Sequence, residues 1–259
     1  MTQDHPALTY SSYLALDEVL GAQRPRSDEH DELLFIVIHQ VYELWFKQLI
    51  HEAGHLQRRL DAGETAQAIR TLRRILTILK VVVSQIDVLE TMAPHHFTSF
   101  RARLDASSGF QSAQFRELEA ILGRRDPRVL AHYPEGSDAR GRIGAAMGRP
   151  SVWHSFVHYL RRCGHDVPDP DVTQPVETSP AVQAALLAVY AADDEEATVA
   201  ELLVDLDEGL QEWRYRHVKM VERTIGDKAG TGGSSGAAYL RGTLFQPLFP
   251  DLWAVRGDL

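Results

Sequence analysis

Two histidines lie inside strongly apolar helical patterns, where their chemistry needs a partner. The chain has 12 histidines; His39 lies in LLFIVIHQVYELWF and His217 in RYRHVKMVERTIG. Burying an imidazole among apolar side chains costs free energy unless it has a hydrogen-bond partner or a ligand. A neutral imidazole is also a common ligand of metals and of haem iron. On two long helices, the pair could face each other across a bundle, although periodicity alone does not separate this hypothesis from that of two satisfied core histidines.

A second pattern, HEAGH at residues 51–55, matches the zinc-binding spacing HExxH. Two histidines one helical turn apart can hold zinc while the glutamate between them acts as a base. The extended motif continues with a glycine and a third histidine, but Arg58 and Asp61 occupy those positions here. A zinc hydrolase at His51, Glu52 and His55 therefore remains an alternative, and a solvated helix face is the favoured interpretation.

Residues 230–236, GTGGSSG, have the composition of a flexible linker. They are not a phosphate-binding loop, because Lys228 precedes the glycines instead of closing them. The segment lies between two helical patterns, which favours a loop that closes over a ligand. A second small-residue segment, residues 106–112, follows Arg101 closely. An arginine near two such loops indicates recognition of a carboxylate, although a lone arginine is more often part of a surface salt bridge.

The elements that would position these residues are nearly all helical. Apolar residues at three- and four-residue spacing predict long helices over residues 28–62, 65–92 and 195–225. Shorter helices are predicted over 94–104, 111–122, 150–163 and 237–244, with an extended proline-containing loop at 164–180. No convincing strand pattern is present, so we predict an all-α helical bundle whose site is built from facing helices.

Composition excludes several classes of protein. The formal net charge of −9 supplies no cationic footprint for nucleic acid. No apolar run approaches the roughly 20 residues of a membrane span, and the N-terminus does not resemble a signal peptide. The single cysteine, Cys163, cannot form an internal disulfide. We therefore expect a cytoplasmic protein without a nucleic-acid or membrane partner.

Five segments in the same order resemble the tryptophan 2,3-dioxygenases. They are LTYSSYLALDEVLGAQRP (8–25), ELLFIVIHQVYELWFKQLIHE (32–52), RARLDASSGFQSAQFRELE (101–119), RYRHVKMVERTIGDKAGTGGSSGAAYLRGTL (214–244) and FPDLW (249–253). The HQxxELWFK and GTGGSSG blocks are far more specific than HExxH. The resemblance spans nearly the whole chain, and it is the resemblance that implies an enzyme.

The resemblance implies a single all-helical domain over residues 1–259 that holds haem b, ferrous in its active form, and assembles as a homotetramer, a dimer of dimers. It implies insertion of both atoms of dioxygen across the indole 2,3 bond of L-tryptophan, which gives N-formyl-L-kynurenine in tryptophan degradation. The N-terminal segment, residues 1–20, would extend toward the neighbouring subunit.

Roles for individual residues also follow from the resemblance. By position, His217 matches the axial ligand of the haem iron, and His39 matches the catalytic distal histidine near the indole nitrogen. Ser108 matches a small residue near bound oxygen on the haem side. The substrate-binding positions are matched by Phe35 (indole pocket), Arg101 (substrate carboxylate), Thr231 (ammonium and carboxylate), Phe97 (tyrosine in many bacterial members), and Tyr10, Tyr13 and Leu14 (from the neighbouring subunit).

Two rival activities stay open at this point. One is a related haem monooxygenase that places one oxygen atom on a modified tryptophan in secondary metabolism; the other is the zinc hydrolase at HEAGH. A ligand-binding bundle without catalysis is disfavoured, because Arg101, His39, Thr231 and His217 are all present.

Overall fold

The structure, a computed structural model, describes residues 7–104, 109–169, 171–172, 174–228 and 237–259. Within these residues the chain forms α-helices and short 3₁₀ helices and no strand. The α-helices are α1 (Tyr10–Leu14), α2 (Leu16–Leu20), α3 (His30–Asp61), α4 (Thr65–Leu89), α5 (Pro94–Arg101), α6 (Ala113–Leu122), α7 (Asp138–Met147), α8 (Val152–Arg162), α9 (Pro180–Ala192), α10 (Glu195–Ile225), α11 (Ala237–Arg241) and α12 (Pro250–Ala254). The 3₁₀ helices are Gly109–Gln111, Pro127–His132 and Val255–Gly257. The all-α prediction is confirmed.

Helix α4 lies at the centre of the bundle, with α3 and α10 packed against it. Its apolar residues recur every three or four positions, so that Leu72, Leu79 and Ile86 share one buried face. Helix α10 approaches closely at Gly209, where an added Cβ would come within 2.8 Å of Leu79 Cδ2. A larger residue at this position would push α10 away from α4, and with it the segment that bears His217.

The shorter helices close the sides of this core. Helix α6 packs against α3 and α7, and α8 packs against α3. Helix α5 contacts both α3 and α10, and its first residue, Pro94, suits a helix start because the missing N–H would be unpaired there. The three long helices and α5, α6, α8 and α11 agree with the predicted segments to within a few residues.

A buried carboxylate fastens the C-terminal segment to α10. Asp207 is fully buried, and its Oδ2 accepts hydrogen bonds from the backbone N–H groups of Leu248 and Phe249 at 2.8 and 3.1 Å. The indole N–H of Trp253 donates to the same oxygen at 2.9 Å. Because Thr243 precedes this segment and lines the central cavity, Asp207 helps to hold the cavity wall in place.

Helix α3 is long and apolar enough to cross a membrane by length and composition alone, a property that core helices of soluble proteins share. In this fold α3 packs against α4, α6 and α8. Its residues Phe46, Leu49 and Leu56 belong to the main hydrophobic core. We therefore describe α3 as a core helix.

Candidate active site

One cavity contains both histidines that the sequence singles out. The described residues that line it come mainly from α3, α4, α6 and α10, with a few from the chain just before α6 and from α11 and the residues after it. Most of the lining surface is apolar. The lining residues are His39, Tyr42, Glu43, Phe46, Ile86, Leu89, Gly109, Ser112, Phe115, Arg116, Glu119, Trp213, Arg214, His217, Met220, Leu240 and Thr243.

His217 lies on α10 and faces this cavity. Burial, together with smaller contributions from the nearby His39 and Arg116, lowers the pKa of His217 to about 4. The imidazole is therefore neutral near pH 7, and a nitrogen lone pair is available to a metal ion. Within the described part of the chain, His217 forms no hydrogen bond, so its ring is held by packing.

That packing is provided by an aromatic neighbour on the same helix. The ring centroids of Trp213 and His217 lie 5.1 Å apart with an interplanar angle of 17°. Residues four positions apart share one face of a helix, which explains why the rings meet. Trp213 in turn contacts Phe115 at 4.7 Å and Phe46 at 6.1 Å between ring centroids.

His39 lies on α3 with its ring fixed by the backbone one turn earlier. Its Nδ1 is 2.7 Å from the carbonyl oxygen of Phe35. Burial lowers the pKa of His39, although the bond to Phe35 and the charge of Glu43 act in the opposite direction. Because a carbonyl oxygen only accepts, the proton of the neutral ring is on Nδ1, and Nε2 becomes an acceptor. Gly109 lies against this edge: a Cβ there would be 3.7 Å from Nε2.

An aromatic wall extends from His39 toward α5. The ring of Phe35 lies 4.1 Å from that of His39, and 5.7 and 5.8 Å from those of Phe97 and Phe100. Phe97 and Phe100 are buried. Arg101, the last residue of α5, is partly buried next to this wall in sequence. The structure therefore brings Phe35, Phe97 and His39 together, as the resemblance implies.

Sequence reasoning missed a buried charge cluster on the cavity wall. Glu119 pairs with Arg116 at 2.7 Å, with Arg214 at 2.8 Å and with Arg124 at 3.5 Å. Burial alone would raise the pKa of Glu119, but the positive charges of these arginines outweigh burial and hold the pKa below its ordinary value. Three guanidinium groups around one carboxylate leave the cluster with net positive charge. The only sequence signal was the pairing of Arg116 and Glu119 three positions apart, which equally suits a surface helix.

Of the other predicted site residues, two lie outside the described residues, and three are described but do not line the cavity. Ser108 and Thr231 lie outside the described residues. Tyr10, Tyr13 and Leu14 lie on α1, with 76%, 74% and 40% of their surfaces exposed, and none of them is among the described residues that line the cavity.

The HEAGH segment does not form a zinc site in the structure. His51 is exposed, whereas Glu52 is buried and accepts hydrogen bonds from Gln48 at 2.8 Å and Arg74 at 3.2 Å. In the described ranges, no group of three or more histidine, cysteine, aspartate or glutamate side chains is arranged to hold a metal ion. The zinc hydrolase alternative therefore receives no support from the geometry.

Comparison with known proteins matches the resemblance seen in the sequence. A family model described as tryptophan 2,3-dioxygenase matches residues 2–161 and 175–259. The tryptophan 2,3-dioxygenase of Anaeromyxobacter sp. (strain K) is 66% identical over 262 residues, which cover 98% of this chain and 97% of the relative. The enzyme of the same name from Herpetosiphon aurantiacus is 56% identical, with 98% and 99% covered. That from Caulobacter vibrioides is 44% identical over the full length of both chains. On these matches, the chain belongs to the tryptophan 2,3-dioxygenase family.

Proposed function

We propose that this protein cleaves the indole 2,3 bond of L-tryptophan with dioxygen and forms N-formyl-L-kynurenine, using a bound haem. The observation that carries the proposal is the placement of His39 and His217 in one apolar cavity of a chain that belongs to this family. The product belongs to the oxidative degradation of tryptophan.

The lining of the cavity fits a haem in its chemistry. It is mainly apolar, which suits a flat, largely apolar macrocycle. We assign His217 as the axial ligand of the iron, because its buried, neutral imidazole has a free lone pair at neutral pH. The protein has a single cysteine, so attachment through a CxxCH motif is excluded and the cofactor would be non-covalent haem b.

Charge on the cavity wall fits the same group. Haem b has two carboxylates, and the cluster of Arg116, Arg214, Arg124 and Glu119 has net positive charge beside the cavity. Arg116 and Arg214 are both at least 92% buried. Charge-assisted hydrogen bonds from buried arginines to carboxylates are among the stronger polar contacts in proteins.

When bound in its ferrous form, the haem supplies the iron that activates dioxygen, chemistry that no side chain here can perform. The protein's part is to orient the substrate and to exclude water. The Nε2 lone pair of His39 can accept the N–H of an indole ring, while the Phe35 ring packs against its face. Buried apolar residues on α3 and α5 keep this end of the cavity dry.

We assign recognition of the amino-acid part of tryptophan to Arg101 and Thr231. Arg101 would bind the carboxylate through two parallel N–H bonds, with Phe97 packed beside it. Thr231, in the glycine-rich loop, would contact the ammonium and carboxylate groups. Ser108 would lie near bound oxygen. These three polar assignments rest on the match to the family's motifs.

The N-terminal helices support an assembly of several subunits. Tyr10, Tyr13 and Leu14 on α1 are exposed in the single chain. Further large apolar residues are exposed on α3 and α4: Leu33, Val37, Leu44, Val81 and Val88. Exposed apolar surface of this kind marks protein–protein contacts. We propose a homotetramer, a dimer of dimers, in which residues 1–20 complete the site of a neighbouring subunit.

Each subunit would be a single domain over residues 1–259, and the protein would act in the cytoplasm. Cys163 is exposed as a residue, although its sulfur is partly shielded from water. This partial burial and the nearby Glu196 raise the pKa of the thiol to about 11. Its thiol therefore stays protonated and inert, which is compatible with a reducing compartment.

The test is turnover of L-tryptophan by the protein loaded with haem and kept reduced. The expected result is a Soret absorption band and appearance of N-formyl-L-kynurenine, both lost when His217 is replaced by alanine. A protein that turns over tryptophan without haem, or that binds zinc and shows no Soret band, would contradict the proposal.

A further inference from the structure

Within the described residues, His217 has no protein hydrogen-bond partner of the kind that normally orients a metal-bound histidine. Such histidines usually donate their second ring N–H to a carboxylate, a backbone carbonyl or water, which fixes the orientation of the ring. In the described residues, no hydrogen bond joins His217 to any side chain or carbonyl. The torsion between Cβ and the imidazole ring is intrinsically broad. Among the described residues, a packing contact is therefore the feature that can choose the plane of the ring.

Trp213 is the contact that can make this choice. Its indole ring is nearly parallel to the His217 imidazole, at 17°, with the two centroids 5.1 Å apart. This is an offset-stacked geometry, one that aromatic pairs prefer. If the imidazole turned away from this plane, its edge would meet the indole face and the offset stack would be lost.

The indole ring is itself fixed. Trp213 is 9% exposed, and Phe115 and Phe46 contact it at ring-centroid distances of 4.7 and 6.1 Å. Its Nε1 is buried, and no hydrogen bond of normal geometry reaches it from the described residues, although Tyr42 is nearby. Ring packing therefore holds Trp213, and Trp213 transmits that order to His217.

We propose that Trp213 is a positioning residue that sets the plane of the His217 imidazole by stacking. The inference rests on the proposed role of His217 as iron ligand. An indole face donates no proton and accepts none from the ring plane, so it orients the ligand without adding negative charge to it. A carboxylate partner would both fix the orientation of the imidazole and raise its basicity, whereas stacking on Trp213 fixes the orientation alone.

The experiment compares Trp213→Phe, which keeps an aromatic face, with Trp213→Leu and Trp213→Met, which do not. Each full-length protein is loaded with haem and reduced. The iron–histidine stretching band in the resonance Raman spectrum and the rate of haem transfer to an excess of apomyoglobin are measured. The expected result is a wild-type band for Trp213→Phe, and a shifted or broadened band for Trp213→Leu and Trp213→Met. Loss of orienting contacts around metal ligands weakens binding by about 10- to 100-fold, and we expect faster haem loss in that range.

Trp153→Leu is the matched control for the loss of a buried tryptophan. Trp153 is 2% exposed and stacks on Phe249 at 5.7 Å between ring centroids, away from the cavity lining. The Trp153→Leu variant should have a lower midpoint of thermal unfolding and an unchanged iron–histidine band. The same band change in Trp153→Leu as in Trp213→Leu would overturn the proposal, because it would reflect general loosening. A wild-type band in both Trp213→Leu and Trp213→Met would overturn it as well. If Trp213→Leu does not fold, Trp213→Met decides.

His217→Gly separates this inference from the proposed function. If the iron–histidine band of the wild type persists in that variant, the axial assignment itself is wrong. If the band disappears in His217→Gly but stays unchanged in Trp213→Leu and Trp213→Met, the axial assignment stands and only the role of Trp213 is wrong.

Discussion

The Nδ1 atom of His39 lies 2.7 Å from the carbonyl oxygen of Phe35, one helical turn earlier. This contact holds the ring and places its proton on Nδ1, because the carbonyl cannot donate. Nε2 is therefore an acceptor, at the ring edge that Gly109 approaches. The Phe35 ring also lies 4.1 Å from the imidazole, so the two residues together form one part of the proposed substrate pocket.

An acceptor that only orients the indole N–H makes a limited contribution to catalysis. A hydrogen bond of this kind contributes about 0.5–1.5 kcal/mol net, so His39→Ala should lower kcat/KM for tryptophan by about two- to tenfold. Removal of the proton outright is poorly matched to a neutral imidazole, because indole N–H is a very weak acid. Steady-state kinetics and haem content check this. His51→Ala, an exposed histidine on the same helix, is the control and should behave as wild type. Complete loss of activity in His39→Ala, with haem and substrate still bound, would show that His39 is indispensable.

Arg101 should make the enzyme depend on the substrate carboxylate. Tryptamine lacks this group and would lose the charge-assisted hydrogen bonds that Arg101 is proposed to make to it. We expect kcat/KM for tryptamine to be lower than for tryptophan by at least about a hundredfold, which corresponds to about 2.7 kcal/mol. In Arg101→Ala the two substrates should become similar.

Two variants refine this measurement. Arg101→Lys should not restore the preference, because an ammonium group lacks the two-pronged geometry of a guanidinium. Arg103→Ala, an exposed arginine two residues along the chain, should keep the wild-type preference. If wild type uses tryptophan and tryptamine equally well, Arg101 is not the carboxylate site.

Acid should destabilise the haem-free protein through His217. Burial holds the pKa of His217 at about 4, below the ordinary value of 6.5 in the unfolded chain. Between these values the unfolded state binds more protons, so the free energy of unfolding falls as the pH drops from about 6.5 toward about 4. His217→Gln should lose part of this dependence. The check is the urea midpoint at about pH 7.5 and about pH 4.5; equal pH dependence in both proteins would contradict the assignment of a buried neutral imidazole.

Removal of the N-terminal segment should affect both assembly and substrate binding. Tyr10, Tyr13 and Leu14 are exposed in the single chain and match positions that reach a neighbouring site. A protein lacking residues 1–14 should sediment as smaller species and show a raised KM for tryptophan. Analytical ultracentrifugation and kinetics on the same sample provide the measurement. A truncated monomer with unchanged kinetics would rule out a shared site.

Long segments with helical periodicity in the sequence predict most of the fold. The spacing predicts helices over residues 28–62 and 195–225, and the structure has α3 at His30–Asp61 and α10 at Glu195–Ile225. Helix α7 was not predicted, because its glycines, Gly141 and Gly144, weaken helical propensity. Helices α1 and α2 bury no residue, so no apolar stripe marks them.

The candidate site was predicted only in part. His39 and His217 stand out because an imidazole is unusual in an apolar stripe. Glu119 does not stand out, because its burial depends on Arg214, 95 residues away in the chain. Trp213 does not stand out either, because an aromatic residue at helical spacing is common in a hydrophobic core. Contacts of this kind arise from tertiary packing, which periodicity along one helix does not contain.

The fate of dioxygen tests the central claim most directly. The protein, loaded with haem and reduced, is supplied with L-tryptophan and dioxygen labelled with heavy oxygen, and the mass of the first product is measured. The account predicts two labelled oxygen atoms in each molecule of N-formyl-L-kynurenine. A product with one labelled atom would identify a monooxygenase instead, and an unlabelled product would contradict oxygenase chemistry altogether.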